Sequence, residues 1–358
     1  MTSRLFTAIP LGDTTVRNRI WVSPMCQYSA VDGVPDRWHL VHLGSFATGG
    51  AGLVFTEATA VVPEGRISPE DTGIWNDTQQ QAWAPIARFV RSQGATPGMQ
   101  LAHAGRKAST LAPFRGRGPV SDADGGWPPV GPSAVPHPGL RDDVHALSVR
   151  CIRAVVAAFA AAAGRAVAAG FEVLEIHAAH GYLLHQFLSP LSNRRDDAYG
   201  GPFENRCRLL LEVVGAVREA VPGVPVLVRV SATDWVEEGW SPEDSVRLAV
   251  LLGEAGVVLV DVSSGGNVPD VRIPVGPSYQ VRFAARIRRE AGMPTGAVGM
   301  ITEPAQAEQI VADGSADAVL LARAMLRNPR WPLWAAHELG VPDEQAPWPP
   351  QYLRAHYL

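Results

Sequence analysis

The chain has 358 residues, 46% of them hydrophobic and 18% charged, with a formal net charge of -4 from 31 basic and 35 acidic side chains. That apolar share excludes general disorder, and charges of both signs spread along the chain leave no footprint for nucleic acid or an anionic membrane surface. The three scattered cysteines, Cys26, Cys151 and Cys207, exclude a disulfide framework, a zinc knuckle and an iron–sulfur ligand run, and Lys107 is the only lysine, so nearly all positive charge is arginine.

Residues 1–10 show no basic segment followed by an apolar stretch, so no secretory leader is expected, and the cysteine usage predicts a reducing, cytoplasmic setting. Short β-branched runs then alternate with helical patterns. The runs fall at 19–23, 52–57, 97–103, 171–177, 225–231, 257–263, 295–300 and 318–323, and periodic stretches at 148–169, 204–220, 242–255, 279–291 and 304–313 predict helices. The Ala-rich stretch 151–169 carries Arg153 and Arg165 and reads as one of these helices, not as a membrane span. Ser241-Pro242 followed by Glu243-Asp244 supplies a cap, a first-position proline and first-turn acids, while Gly170, Gly256 and Gly314 stand where a left-handed residue would end a helix. Eight strands alternating with about eight helices predict a single α/β domain over residues 1–358, a TIM (β/α)8 barrel. A doubly wound open sheet is disfavoured, because no G-x-G-x-x-G turn follows the first strand. Residues 108–147, rich in proline and glycine, read as an elaborated loop after strand three, placed to cover a site. Residues 341–358 read as an extended C-terminal tail.

A barrel keeps its chemistry at the C-terminal ends of its strands, and the polar residues collect there. His177, His180 and Tyr182 follow strand four. Neutral imidazoles can donate two hydrogen bonds to one oxygen, and a phenol can deliver a proton to a nearby carbon. A metal site and plain backbone-satisfied histidines are the rival readings, and no acid or cysteine at a neighbouring strand end completes a ligand set. Gly299 and Arg323, after strands seven and eight, suit a phosphate, with Gly265 and Gly266 as further amide donors, although Arg323 could equally be an ion-pair partner. Gln100 and Arg229 suit the pyrimidine edge of a flavin, where a cation stabilises the reduced form. Equally, Gln100 could hydrogen-bond within the barrel, and Arg229 could pair with Asp261 or Glu175.

These stretches carry a resemblance. Asn18-Arg19-Ile20 leading to Ser23-Pro24-Met25-Cys26-Gln27-Tyr28, then Gln100-Leu101-Ala102-His103-Ala104-Gly105-Arg106-Lys107, resemble the Old Yellow Enzyme family of FMN-dependent ene-reductases, in its thermophilic-like bacterial class. So do Glu175-Ile176-His177-Ala178-Ala179-His180-Gly181-Tyr182, Tyr199-Gly200-Gly201 and Gly296-Ala297-Val298-Gly299-Met300, in order over nearly the whole chain. The resemblance implies tightly but non-covalently bound FMN, held by Ser23, Pro24, Met25, Cys26, Ala58, Gln100, Arg229, Gly299, Ala322 and Arg323. It implies NADPH or NADH as a transient hydride donor, and enones, enals, maleimides or nitroalkenes as substrates. His177 and His180 would bind the activating oxygen, Tyr182 would be the proton donor, and Tyr28 a substrate-side tyrosine. Cys26 fits the cysteine that marks the class and adjusts the flavin without acting as a nucleophile. No metal is implied. Ala322-Arg323 departs from the family's usual Gly-Arg. Gln351-Tyr352-Leu353-Arg354 resembles the motif by which relatives place an arginine in a neighbouring subunit's site, which implies a homodimer or homotetramer with Arg354 crossing the interface.

Overall fold

A computed structural model describes residues 3–356. Eight parallel strands close into a barrel: β1 Ile20–Val22, β2 Leu53–Ala60, β3 Thr96–Ala102, β4 Val173–Ala178, β5 Val226–Ser231, β6 Leu259–Ser263, β7 Thr295–Ala297 and β8 Ala318–Leu321. Neighbours in sequence are neighbours in the sheet, and β8 closes on β1 with Val319, Leu320 and Leu321 opposite Ile20, Trp21 and Val22. The TIM barrel expected from the alternation is therefore the fold. Two strands end sooner than their apolar runs suggested. Gly299 and Met300 turn into the left-handed region (φ 110° and 50°) beyond β7, and Arg323 already opens the short helix Arg323–Arg327 beyond β8.

Side chains alternate across each strand, so each run serves two cores. Outward residues such as Ile20, Val54, Leu174, Ile176, Val228 and Val260 pack beneath the helices. Inward residues Trp21, Leu53, Phe55, Val173, Leu227, Leu259 and Leu320 fill the N-terminal half of the barrel together with Ile9, Leu11 and Val16. The latter three belong to a hairpin, Ile9–Leu11 with Thr14–Val16, which the strand count did not anticipate and which plugs the end opposite the site.

The helices end where their residues dictate. Ser241 Oγ accepts from Asp244 N at 3.1 Å, with Pro242 in the first turn. Gly170, Gly256 and Gly314 have φ of 100°, 82° and 76°, the left-handed stop read from the sequence. The helix Val149–Ala168 is, by length and composition, apolar enough to cross a membrane, yet it lies on the barrel with Ile152, Val155, Phe159, Ala162 and Ala166 buried.

The loop 108–147 is pinned in place. Trp127 Nε1 donates to the Glu64 carbonyl at 2.9 Å beneath the Arg66 guanidinium, and Arg195 Nη1 donates to Pro132 O at 2.8 Å. It brings Phe114 edge-on to Tyr28, ring centroids 6.2 Å apart, so it does border the mouth of the barrel. The C-terminal tail does not run extended throughout as expected. Pro350–Ala355 forms a 3-10 helix, which proline's fixed φ favours in its first turn, and the Arg330 guanidinium holds Tyr352 by stacking at 4.8 Å.

Candidate active site

At the end of β4 the chain makes a turn that few residues tolerate. His180 and Gly181 both lie in the left-handed region (φ 58° and 72°). A Cβ on Gly181 would stand 2.3 Å from the Gly266 carbonyl oxygen, and one on Gly266 would stand 2.7 Å from the His180 Cα. Gly266 thus seats this turn, Gly265 N donates to the Thr233 carbonyl at 2.8 Å, and neither lines the cavity at the ends of β7 and β8, which corrects the amide role expected of them. From below, His185 holds the turn. Its Nδ1 accepts from Gly181 N at 2.9 Å while its Nε2 lies 3.1 Å from Asp234 Oδ1, both side chains being fully buried. Asp234 in turn accepts from Ser189 Oγ at 2.6 Å and Trp240 N at 3.0 Å.

This scaffold gathers three rings. His177 meets His180 at 5.1 Å and Tyr182 at 5.0 Å between centroids, each edge to face. Burial, then the nearby Arg229 charge, drives both imidazoles well below their ordinary pKa, so they are neutral at pH 7. Burial likewise pushes the Tyr182 phenol well above its usual value and keeps its proton on. His177 Nδ1 accepts from Ala179 N at 3.3 Å, which leaves Nε2 as its N–H donor. His180 Nε2 lies 2.8 Å from Ser263 Oγ. Ser263 Oγ also lies 3.3 Å from Gln280 Oε1, which accepts from Ser264 Oγ at 2.6 Å; when the Ser263 proton faces the imidazole instead, Nδ1–H is the outward donor. Lys107 Nζ donates to the carbonyls of His180 and Gly266, both at 2.8 Å, and stands 5.0 Å over the Tyr182 ring. Burial and the adjacent Arg106 lower its pKa to about 8.

Ser23, Pro24, Met25 and Cys26 leave the end of β1 toward Tyr28, itself left-handed (φ 52°). Burial and the carboxylates of Asp71 and Glu57 hold Cys26 as a thiol. A register shift in β2 between Phe55 and Ala58 sets Ala58 beside Gln100. It also lets Glu57 accept from Gln27 N at 3.1 Å and approach His39 Nε2 at 3.1 Å. The Glu57–His39 pair anchors the segment carrying Cys26, a role no motif announced.

Deeper in the barrel the strand register places Gln100 beside Glu175 and Arg229 beside Asp261. Gln100 Nε2 donates to Glu175 Oε1 at 2.7 Å, and Arg229 Nε lies 3.0 Å from Asp261 Oδ2. Arg229 Nη1 also reaches up to Ser23 Oγ at 3.0 Å and lines the cavity above. Of the readings left open by the sequence, the ion pair inside the barrel is present, and Arg229 also presents its guanidinium to the cavity at the mouth.

That cavity, about 210 Å³, runs from Ser23, Arg229 and Ser263 to Gly299, Met300, Ala322, Arg323 and Arg327. A Cβ on Gly299 would stand 2.9 Å from Gln280 Nε2, and φ is 110°, so glycine is required there. Ala322, by contrast, has a negative φ of -110°, so the alanine needs no left-handed freedom there. Hydrogen-bonding groups at one end and arginines beside a glycine turn at the other match the two ends of FMN. The donor set and the glycine-lined cradle thus fit the cofactor. Arg354 stands exposed on the Pro350–Ala355 turn and is not among the residues lining this cavity.

Residues 4–341 match the model of the NADH:flavin oxidoreductase / NADH oxidase family. An NADPH dehydrogenase of Geobacillus sp. (strain WCH70) is 47% identical over 343 residues, 95% of this chain and 96% of that one. The structure of morphinone reductase in complex with tetrahydroNAD is similar with a TM-score of 0.78 and 30% identity, over 95% of this chain and 92% of the other. The old yellow enzyme homologue from Zymomonas mobilis gives a TM-score of 0.77 at 27% identity, over 99% of both chains. With a donor set and cavity that fit FMN, and relatives that match along its whole length, the chain belongs to the NADH:flavin oxidoreductase / NADH oxidase family and is an FMN- and NAD(P)H-dependent oxidoreductase of the Old Yellow Enzyme type.

Proposed function

We propose that this enzyme uses NADPH or NADH to reduce C=C bonds conjugated to a carbonyl or nitro group, in enones, enals, maleimides and nitroalkenes, by a ping-pong sequence at one mouth. The supporting observation is the trio of rings at the end of β4, with two imidazoles held neutral and one phenol held protonated. Bound FMN supplies two-electron transfer between nicotinamide and alkene. His177 and His180 donate N–H to the substrate oxygen, where negative charge grows in the transition state. Tyr182 gives its proton to the α-carbon, and Tyr28 with Phe114 borders the substrate side. Cys26, a thiol and not a thiolate, packs beside the cofactor and is no nucleophile. Ser23, Pro24, Met25, Cys26, Ala58, Gln100, Arg229, Gly299, Ala322 and Arg323 hold FMN non-covalently within one domain spanning residues 1–358.

A homodimer or homotetramer with Arg354 entering the neighbour's site belongs to the same proposal. It is supported by the exposure of Leu353 and Arg354 and by an apolar groove in which Val41, 67% exposed, and Tyr352 share a wall. The free state of Cys26, Cys151 and Cys207 supports a cytoplasmic setting. Initial velocities measured while NADPH and cyclohexenone are both varied test the sequence of steps. Parallel double-reciprocal lines are expected, and lines that intersect would overturn it.

A further inference from the structure

Glu175 and Asp261 are both completely buried inside the barrel, one layer below His177 and Ser263 on the same strands. The charged or polar groups facing Glu175 are Asp261, Arg229 and Gln100, and those facing Asp261 are Arg229 and Glu175. His177, above on β4, faces Arg229 as well. Two buried carboxyls therefore stand beside one guanidinium, and Glu175 Oε2 and both Asp261 oxygens are buried without a hydrogen-bond donor. One guanidinium balances one carboxylate, and a second bare carboxylate in this fully buried layer has no cation left to balance it, so one of the two carboxyls keeps a proton. The contacts say which group holds the proton. Asp261 lies 3.0 Å from the Arg229 guanidinium, whereas Glu175 takes its hydrogen bond from the neutral Gln100 amide at 2.7 Å. Burial first, and then the Asp261 charge, push the Glu175 carboxyl upward.

We propose that Glu175 and Asp261 form a proton-sharing carboxyl pair, with the proton on Glu175, that sets how much of the Arg229 charge reaches the flavin and thereby sets its reduction potential. The proposal rests on the reading that Arg229 faces the cofactor. With the pair singly ionised, Asp261 balances the Arg229 charge and fixes its direction, while Nη1 extends to Ser23 at 3.0 Å and into the cavity. Loss of the shared proton would add a second negative charge below the flavin and disfavour its reduction. Loss of both carboxylates would leave the Arg229 charge uncompensated and favour it. Glu175 and Asp261 are thus positioning residues that act through Arg229.

The test uses the FMN-loaded enzyme and two readouts. The infrared difference between wild-type protein and Glu175→Gln at pH 7 should contain the carbonyl stretch of one buried protonated carboxylic acid, separate from any band of the buried Asp71 carboxyl, which both proteins share. Spectroelectrochemical titration of the bound flavin should place Glu175→Gln at the wild-type potential, because the amide keeps the hydrogen bonds of the protonated acid. It should place Asp261→Asn/Glu175→Gln higher, with the reduced-to-oxidised ratio at fixed potential raised at least tenfold, about 30 mV for a two-electron couple. Should the double variant fail to fold, titration of the two remaining proteins at rising pH decides. The wild-type potential must fall below that of Glu175→Gln as the shared proton is lost. Equal potentials in all folded variants at all pH values, or no protonated-acid band lost from the infrared spectrum in Glu175→Gln, would overturn the proposal. A wild-type protein that holds no FMN would overturn the underlying cofactor reading, and the proposal with it, whatever the infrared spectrum shows.

Discussion

Tyr182→Phe should slow alkene reduction by at least about 100-fold while leaving flavin reduction by NADPH within about twofold of wild type. The split follows from what the substitution removes. Phenylalanine keeps the ring that packs edge-on to His177 at 5.0 Å and lies under Lys107 Nζ, so the turn and its donors stay in place. Only the hydroxyl is lost, and burial keeps that hydroxyl protonated in the wild type. Hydride delivery from nicotinamide requires no proton donor at this position, whereas saturation of the alkene leaves a carbanion-like centre that does. Anaerobic stopped-flow measurement of each half-reaction separates the two. Equal slowing of both would assign Tyr182 to packing or binding, and no slowing of either would assign the proton to another donor.

The second large effect lies beneath the site. Asp234→Ala should destabilise the protein by about 3–5 kcal/mol, because it strips a fully buried imidazole of its partner and also unpairs Ser189 Oγ and Trp240 N. A fall in Tm of roughly 5 °C by thermal denaturation is the expected reading. Activity should fall with it, since His185 holds the Gly181 amide that carries His180 and Tyr182 into position. The pH dependence has a definite sign. Burial opposes the Asp234 charge, but its pairing with His185 and its bonds from Ser189 and Trp240 outweigh this and hold its pKa at about 2, below the ordinary 3.8. A depressed carboxyl stabilises the fold fully above about pH 4, and that contribution fades as pH falls toward 2. In the alanine variant this part of the acid sensitivity should be missing. Unchanged stability in Asp234→Ala would show that the pair only balances its own desolvation.

What could be read from one sequence was whatever is local along it. The barrel strands appear as short apolar runs because both of their faces are buried, and Gly170, Gly256 and Gly314 mark helix ends because only a left-handed residue closes them there. The mouth was legible because His177, His180 and Tyr182 lie within one turn at a strand end. Pairings that depend on register were not legible. Asp261 and Glu175 were both visible as possible partners of Arg229, but only the sheet register gives Arg229 to Asp261 and Gln100 to Glu175. His185 with Asp234, and His39 with Glu57, leave no spacing signal at all, since each joins separate barrel units. The N-terminal hairpin was missed because its strands are too short to show a period. The tail was misread because prolines that end an α-helix can equally open a 3-10 turn.

The central claim is that the buried rings at the end of β4 and the FMN cradle beside them form one ene-reductase site. Its most direct test is the visible spectrum of the purified enzyme without oxygen. The bands of bound flavin should bleach on addition of NADPH and return in full on addition of cyclohexenone. A flavin that NADPH bleaches, that air restores and that cyclohexenone leaves bleached would contradict it.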